Sequence, residues 1–516
     1  MSRRQRLVLY HPQSAVRREP PHCRWPDELP LPLLTIAAWP LRRGYDVVLV
    51  DGTRVSAAEA RGRVLEACEG ALLFATTGIL GPQVRDALQV TRAVKARFPD
   101  LPALVGGWFA SVVPELYLAT GLFDAVALGQ GEITFRELVA AVDAGTPLEE
   151  VAGLALLRDG LPVRSARRPI VAWDRLLDCP WDLLQPEDYR VPQQRMWRGK
   201  GRGVYRNIEL PSFQIAYFSS FGCPLPCTFC CSPSVSGQRW QAMSAERMLD
   251  DLCALQDRWG FDSVHFNDAN FGVDVRRMVA FAEGLLRRGL RMHWLAYVQA
   301  ESFLRCTDEE LDALAASGLY GCVLGAEAGS APTMARVRKP TREGGNLEAA
   351  RRLAARGIVP RMTYMIGFPW EDRCSMLATI DEARRVVQHC PGARPEIWPF
   401  LPIPGSEDWN EALERGYAPP ARLEDWGAVG DYWEEAPWPG RIPADVERRR
   451  RLFMHFSSLA LGVVRERSGW WERRARRHIA RDTFGAGGLE ARAFHVWDHL
   501  TRRQPKRSAR MARQQA

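Results

Sequence analysis

"FGCPLPCTFCCSP", residues 221–233, gathers four cysteines in a chain that has only twelve in its 516 residues. Cys223, Cys227 and Cys230 stand at the spacing C-x3-C-x2-C, directly after a run (213–219) that reads as a β-strand. Three thiolates from one loop can ligate three irons of a 4Fe–4S cluster and leave the fourth iron without a protein ligand. A structural zinc site asks for a fourth Cys or His at matching distance, and none follows at zinc-finger spacing. Cys231 adjoins Cys230, so its side chain diverges from its neighbour's and is not expected to complete the set. A cluster with one open iron is therefore the leading expectation, with zinc as the alternative.

The remaining composition is that of an ordinary soluble enzyme, 46% hydrophobic and 25% charged, long enough for two or three domains. The opening MSRRQRLVLYHPQS is basic but has no sustained apolar stretch or small-residue cleavage site, so no signal peptide is expected. The apolar run LFMHFSSLALGVV (452–464) is too short to span a bilayer. A cytoplasmic location is the expectation, and there a tight cysteine cluster means metal or catalysis rather than disulfides. Net charge is +8 but uneven. Residues Arg441 to Ala516 hold 19 Lys/Arg and 7 Asp/Glu, a surplus of 12, so the remainder sums to −4. An acidic substrate, nucleic acid or an anionic membrane surface are functional readings of that end. A solvated helical face followed by a disordered tail is the plainer one, and nucleic acid ranks low. Only four of the 69 basic residues are lysines, which reads as codon bias.

Residues 1–145 alternate apolar runs ending in turn residues (6–12, 46–52, 70–78, 102–107, 124–132) with helix-period segments. Five strands alternating with helices predict a doubly wound, flavodoxin-like parallel sheet, whose ligands sit beyond the carboxyl ends of the strands. Residues 146–210, rich in Pro, Trp and Arg, read as an ordered connector. A second alternation fills 211–405, with strands expected at 213–219, 263–267, 291–297, 320–326, 361–367 and 395–401. Ser244 is expected to cap the helix that Gly260 stops, and Thr307 with Glu310 forms a capping box. Six β/α units predict a partial barrel. Residues 406–516 become Trp- and Pro-rich, then Arg-rich and helical; this stretch is expected to shape substrate choice through Trp409, Trp426, Trp433 and Trp438, or simply to cover the barrel.

The three cysteines, with aromatic Phe229 before the last, resemble the signature of radical S-adenosylmethionine (SAM) enzymes. That resemblance implies a partial barrel around a 4Fe–4S cluster whose open iron chelates SAM, which an electron then cleaves to a 5′-deoxyadenosyl radical. HFNDANF puts Asn267 and Asp268 where family members hold the methionyl amino group. LGAEAGS puts Glu327 after the fourth strand, similar to the family's G-x-E-S-G-S stretch, with Ala328 in place of the usual Ser. MIGFP (365–369) resembles the segment whose backbone approaches adenine, Gly367 permitting close contact. Each has a plainer reading: Asp268 as a helix cap, Glu327 in a core ion pair, Gly367 in a turn.

VVLVDG, LVGG and ALGQGEITFREL resemble the cobalamin-binding domain fused ahead of many radical SAM enzymes. The resemblance implies that Gly106, Gly107, Gly129 and Gly131 let the corrin and its nucleotide tail lie against backbone, and that Thr76, Thr77 and Gly78 face the corrin. A bare sheet with glycine turns equally suits a phosphate or a flavin. No Asp-x-His-x-x-Gly occurs, which agrees with the fused subclass, where a histidine below cobalt is generally absent. Trp108 and Phe109 replace the Pro-His common in relatives, and either pack on the corrin or fill core. The implied activity is methylation of an unactivated carbon of a small-molecule or peptide biosynthetic intermediate: one SAM methylates cobalamin and a second supplies the radical. The implied reductant is a flavodoxin or ferredoxin. A radical oxidative cyclase or rearrangement enzyme is the alternative, and a nucleic-acid-modifying or nucleic-acid-binding protein the option from another class.

Overall fold

The computed structural model describes residues 5–14, 28–200, 213–390, 392–429, 438–460 and 469–483. The first sheet contains β1 (Arg6–His11), β2 (Asp46–Asp51), β3 (Leu73–Thr77), β4 (Ala103–Gly106) and β5 (Ala125–Ala127), then β6 (Leu154–Arg158) and β7 (Leu161–Arg164). Its order is β2-β1-β3-β4-β5-β6-β7. The first five strands are parallel; β6 and β7 pair antiparallel at one edge. β1 and β3 are buried almost throughout because helices cover both faces, so their apolar residues read as continuous runs rather than alternations.

The β6–β7 hairpin extends the five strands expected from the sequence to seven, and it arises within the stretch read as connector. Asp159 and Gly160 form its turn with φ of 52° and 77°, the left-handed pair that a two-residue hairpin requires. The Asp-Gly signal stands in the sequence, and the connector reading, resting on Pro, Trp and Arg content, passed over it.

The second sheet contains β8 (Gln214–Tyr217), β11 (Ser263–Phe266), β12 (His293–Val298), β13 (Leu319–Glu327), β14 (Val359–Ile366) and β15 (Arg394–Pro399). All six are parallel, in the order β15-β14-β13-β12-β11-β8. Between β8 and β11, β9 (Ser220–Gly222) and β10 (Trp240–Ala242) pair antiparallel and close off the cysteine-bearing excursion, a local sheet that the sequence reading did not include. The helix caps follow from local chemistry: Ser244 accepts from the Arg247 N–H, Gly260 adopts φ 61°, and Thr307 and Glu310 bond reciprocally.

Beyond β15 the chain turns back over the first sheet. Trp426, 1% exposed, and Leu423 join the core of Phe109, Tyr117 and Val84, with Trp409 packed against it. Trp426 is core and the partly buried Trp409 packs on it, which favours packing at that point. Trp438 touches Tyr417; Trp433 and residues 461–468 and 484–516 of the basic end lie outside the described residues. Among the described residues no helix is long and apolar enough to cross a membrane.

Candidate active site

A cavity of about 400 Å³ lies where the carboxyl edges of the two sheets meet. One wall is built from the first sheet: Thr76, Thr77, Gly106, Gly107, Trp108, Gly129, Gly131 and Glu132. The opposite wall brings Phe218, Phe221, Cys230, Cys231 and Asn267. Thr76 donates its hydroxyl to the Tyr10 carbonyl at 3.0 Å, so it is already used in the fold. Thr77 Oγ1 and Glu132 Oε2 are buried without a hydrogen-bond partner. Gly107 adopts φ 103°, and a Cβ there would stand 2.9 Å from both the Gly78 carbonyl oxygen and Thr77 Oγ1. Ser111 ties the two glycine turns together, donating to the Gly107 carbonyl at 2.8 Å and accepting from the Gly129 N–H at 3.0 Å. Gly78 is not in the lining; a side chain there would collide with the Tyr117 hydroxyl. The aromatic pair divides its work: Trp108 faces the cavity and Phe109 is fully buried in core.

On the other wall, the three cysteines follow β9. Burial pushes the Cys227 thiol up to about 11 and that of Cys230 up to about 12, and raises that of Cys223. Such thiols stay protonated until a metal displaces the proton. The Ser232 N–H donates to Cys230 Sγ at 3.4 Å. Among the described residues no three His, Cys, Asp or Glu side chains converge as a single metal ion demands. Phe229 packs on Phe368 with ring centroids 6.1 Å apart, so it holds the loop against the end of β14.

The strand-end residues separate into two groups. Asn267 reaches the cavity. Asp268 does not: its oxygens accept from the Ser219 N–H at 3.1 Å, the Ser219 hydroxyl at 3.0 Å and the Ser220 hydroxyl, so it pins the turn between β8 and β9. Glu327 forms a buried ion pair with Lys339, Oε1 to Nζ 2.7 Å, and its own φ is 61°. Gly367 has φ 91°, and a Cβ there would lie 2.7 Å from Ile442 Cγ1; the missing side chain makes room for the C-terminal segment.

No protein-family model matches the chain. It is 25% identical over 413 residues to an uncharacterized methyltransferase of Pyrococcus horikoshii, covering 79% of this chain and 82% of that one. It is 24% identical to the anaerobic magnesium-protoporphyrin IX monomethyl ester cyclase of Synechocystis sp., covering 70% and 68%. The structure of the radical SAM methyltransferase TsrM from Kitasatospora setae, with cobalamin and a 4Fe–4S cluster bound, superposes with a TM-score of 0.63 at 15% identity, covering 96% of this chain and all of that one. The cobalamin-dependent SAM radical enzyme OxsB gives 0.61 at 17% identity over 86% of this chain, which spans only 57% of the OxsB length. The chain is similar in sequence to methyltransferases and a cyclase of this kind, and in fold to cobalamin-binding radical SAM enzymes.

Three residues that sequence reading passed over stand beside the cysteine loop or the loop after β14. Lys339 neighbours Cys223 and Cys227; its being one of four lysines in an arginine-rich chain was a usable signal. Asp408 bonds Thr228 inside the motif, and nothing local marked it. Arg441 donates to the Phe368 and Glu371 carbonyls, closing the loop after β14.

Glu371, in that same loop, accepts from the Gly367 N–H at 2.7 Å and the Phe368 N–H at 3.3 Å through Oε2, while Oε1 has no partner. Burial pushes its carboxyl up from 4.5 to about 7, against the pull of those two N–H groups. The native chain thus keeps a proton that the unfolded chain releases, so stability is full below the ordinary carboxylate value and falls as pH rises to about 7. Relative to Glu371→Gln, the wild type is expected to lose on the order of 3 kcal/mol across that window. Urea unfolding of both proteins at a series of pH values checks it; parallel pH profiles would refute it.

Proposed function

We propose that this protein is a cobalamin-dependent radical SAM methyltransferase that methylates an unactivated carbon of a small-molecule or peptide biosynthetic intermediate. One observation carries the reading: glycine turns from one parallel sheet and the cysteine-bearing loop of the other, through Cys230, line the same cavity, with Cys223 and Cys227 outside its lining. In this reading residues 1–145 are a flavodoxin-like cobalamin domain, 146–210 a connector, 211–405 a partial (β/α)6 barrel, and 406–516 a covering region. Bound there, the cluster would cleave SAM to a 5′-deoxyadenosyl radical and cobalamin would carry the methyl group.

The residues present fit both groups. Cys223, Cys227 and Cys230 offer three thiolates from one loop and no fourth. Thr77 Oγ1 and Glu132 Oε2 are buried polar atoms without partners at the first sheet's edge, where the amide fringe of a corrin would satisfy them. Gly107 and Gly129, fixed by Ser111, keep side chains off that edge. Asn267 offers its amide to the SAM side of the cavity. The apolar walls of Leu104, Phe135, Phe218 and Phe221 offer no polar partner to water, which would help protect a radical from quenching once cofactors and substrate fill the cavity. A flavodoxin or ferredoxin is the reductant this chemistry calls for, and the cytoplasm its setting.

Similarity to the magnesium-protoporphyrin cyclase favours one second reading, a radical oxidative cyclisation or rearrangement without methyl transfer. Stoichiometry decides. A methyltransferase of this kind is expected to release S-adenosylhomocysteine and 5′-deoxyadenosine in roughly equal amounts, because one SAM donates the methyl and another the radical. Label from methyl-deuterated SAM should enter the product. Turnover with 5′-deoxyadenosine but neither S-adenosylhomocysteine nor transferred label would sink the methyltransferase reading in favour of the cyclase.

A further inference from the structure

Between Cys227 and Cys230 stands Thr228, and every hydrogen-bonding group it owns is engaged by distant chain. Its N–H donates to the Val337 carbonyl at 3.3 Å, and its carbonyl accepts from the Asp408 N–H at 3.0 Å. Its hydroxyl donates to Asp408 Oδ2 at 2.7 Å. The second oxygen of Asp408 accepts from Trp370 Nε1 at 3.0 Å. Thr228 and Asp408 are 6% and 4% exposed, so these bonds form out of reach of water. Asp408 lies in the first turn of the helix Glu407–Glu414, started by Ser406, whose hydroxyl accepts from the Trp409 N–H. That helix is held by ion pairs of its own, Arg336 to Glu411 and Arg338 to Glu407.

A loop that must present three thiols at cluster spacing has no ladder to stiffen it. Here a carboxylate about 180 residues downstream clasps its midpoint by both side chain and backbone, and the indole of Trp370 fixes the carboxylate in turn. Buried bonds of this kind are costly to leave half-made. We infer that Asp408 is a positioning residue for the cluster: acting through Thr228, it sets the separation of Cys227 and Cys230 and so holds the cluster in place. This rests on the reading of the three cysteines as cluster ligands.

The test uses anaerobically reconstituted full-length protein, reading iron per chain, iron release to a chelator, and the electron paramagnetic resonance of the reduced cluster. Thr228→Val is isosteric and deletes only the hydroxyl bond; Asp408→Ala deletes its acceptor. Each is expected to release iron about tenfold faster than wild type, the factor that one hydrogen bond to a carboxylate represents, and to shift or broaden the resonance. Thr228→Ser should restore wild-type behaviour, and the double variant should be no worse than Asp408→Ala alone, since both act through one contact. Wild-type release and resonance in Thr228→Val, failure of Ser to rescue, or additive losses in the double variant would each overturn the inference. Should Asp408→Ala fail to fold by circular dichroism, Thr228→Val and Thr228→Ser decide it between them. A wild-type chain that takes up no iron would instead remove the functional reading on which the inference stands.

Discussion

Replacing Cys223, Cys227 and Cys230 together with Ala is expected to abolish the iron–sulfur absorbance of the reconstituted protein and all reductive cleavage of SAM. The loss should be complete because the substitution removes all three thiols of one loop, and among the described residues no group of three His, Cys, Asp or Glu side chains stands ready to replace them. Removing the ligands removes the electron relay rather than weakening it. Cys231→Ala is the matched control. Its thiol lines the same cavity as Cys230 and is likewise pushed up by burial, to about 11, so it has the access to serve as a substitute ligand. It also stands at the N-terminus of the short helix Ser232–Ser236, where neighbouring side chains diverge. Iron content and absorbance in Cys231→Ala should therefore match the wild type. If that single change also strips the cluster, the ligand assignment is wrong and Cys231 belongs in the set.

Lys339→Met is expected to be the most damaging single substitution for stability near the site. Lys339 and Glu327 have side chains only 7% and 8% exposed, with Nζ and Oε1 2.7 Å apart. Burial is the largest single influence and works against the lysine's charge, but Glu327 together with the neighbouring Cys227 and Cys223 holds the ammonium above its ordinary value. Deleting one partner leaves a carboxylate buried without a counter-charge, at a cost of roughly 3–5 kcal/mol. The double variant Lys339→Met with Glu327→Gln should recover most of that, since a neutral pair needs no counter-charge. The denaturant midpoints of wild type, single and double variants check it. A single variant within experimental error of wild type, or a double variant no better than the single, would show that the pair is not the desolvated contact its burial indicates. The site has little slack here: a Cβ at Gly325 would meet Nζ at 2.9 Å, so Gly325→Ala should disturb the same pair.

Much of the architecture was legible residue by residue. Eleven strands were expected, and each has a counterpart near its expected place, because a parallel strand buried on both faces is a continuous apolar run bounded by turn residues. Ser244, Gly260 and the Thr307–Glu310 box were readable because a cap is a contact between residues three or four apart. The cysteine spacing likewise carries its chemistry within eight positions. The Asp159–Gly160 hairpin was readable by the same logic and was missed.

What stayed out of reach has a common cause. Asp268 and Asn267 are neighbours in the chain, and nothing local separates them; packing spends one on Ser219 and Ser220 and leaves the other facing the cavity. Gly367 owes its missing side chain to Ile442, and Thr228 owes its fixed position to Asp408. A backbone's preference for helix, strand or turn is settled within a few residues, since its period and its caps are short-range. The partner of a buried polar atom is settled by which distant segment folds against it, because only the finished interior removes the water that would otherwise have served.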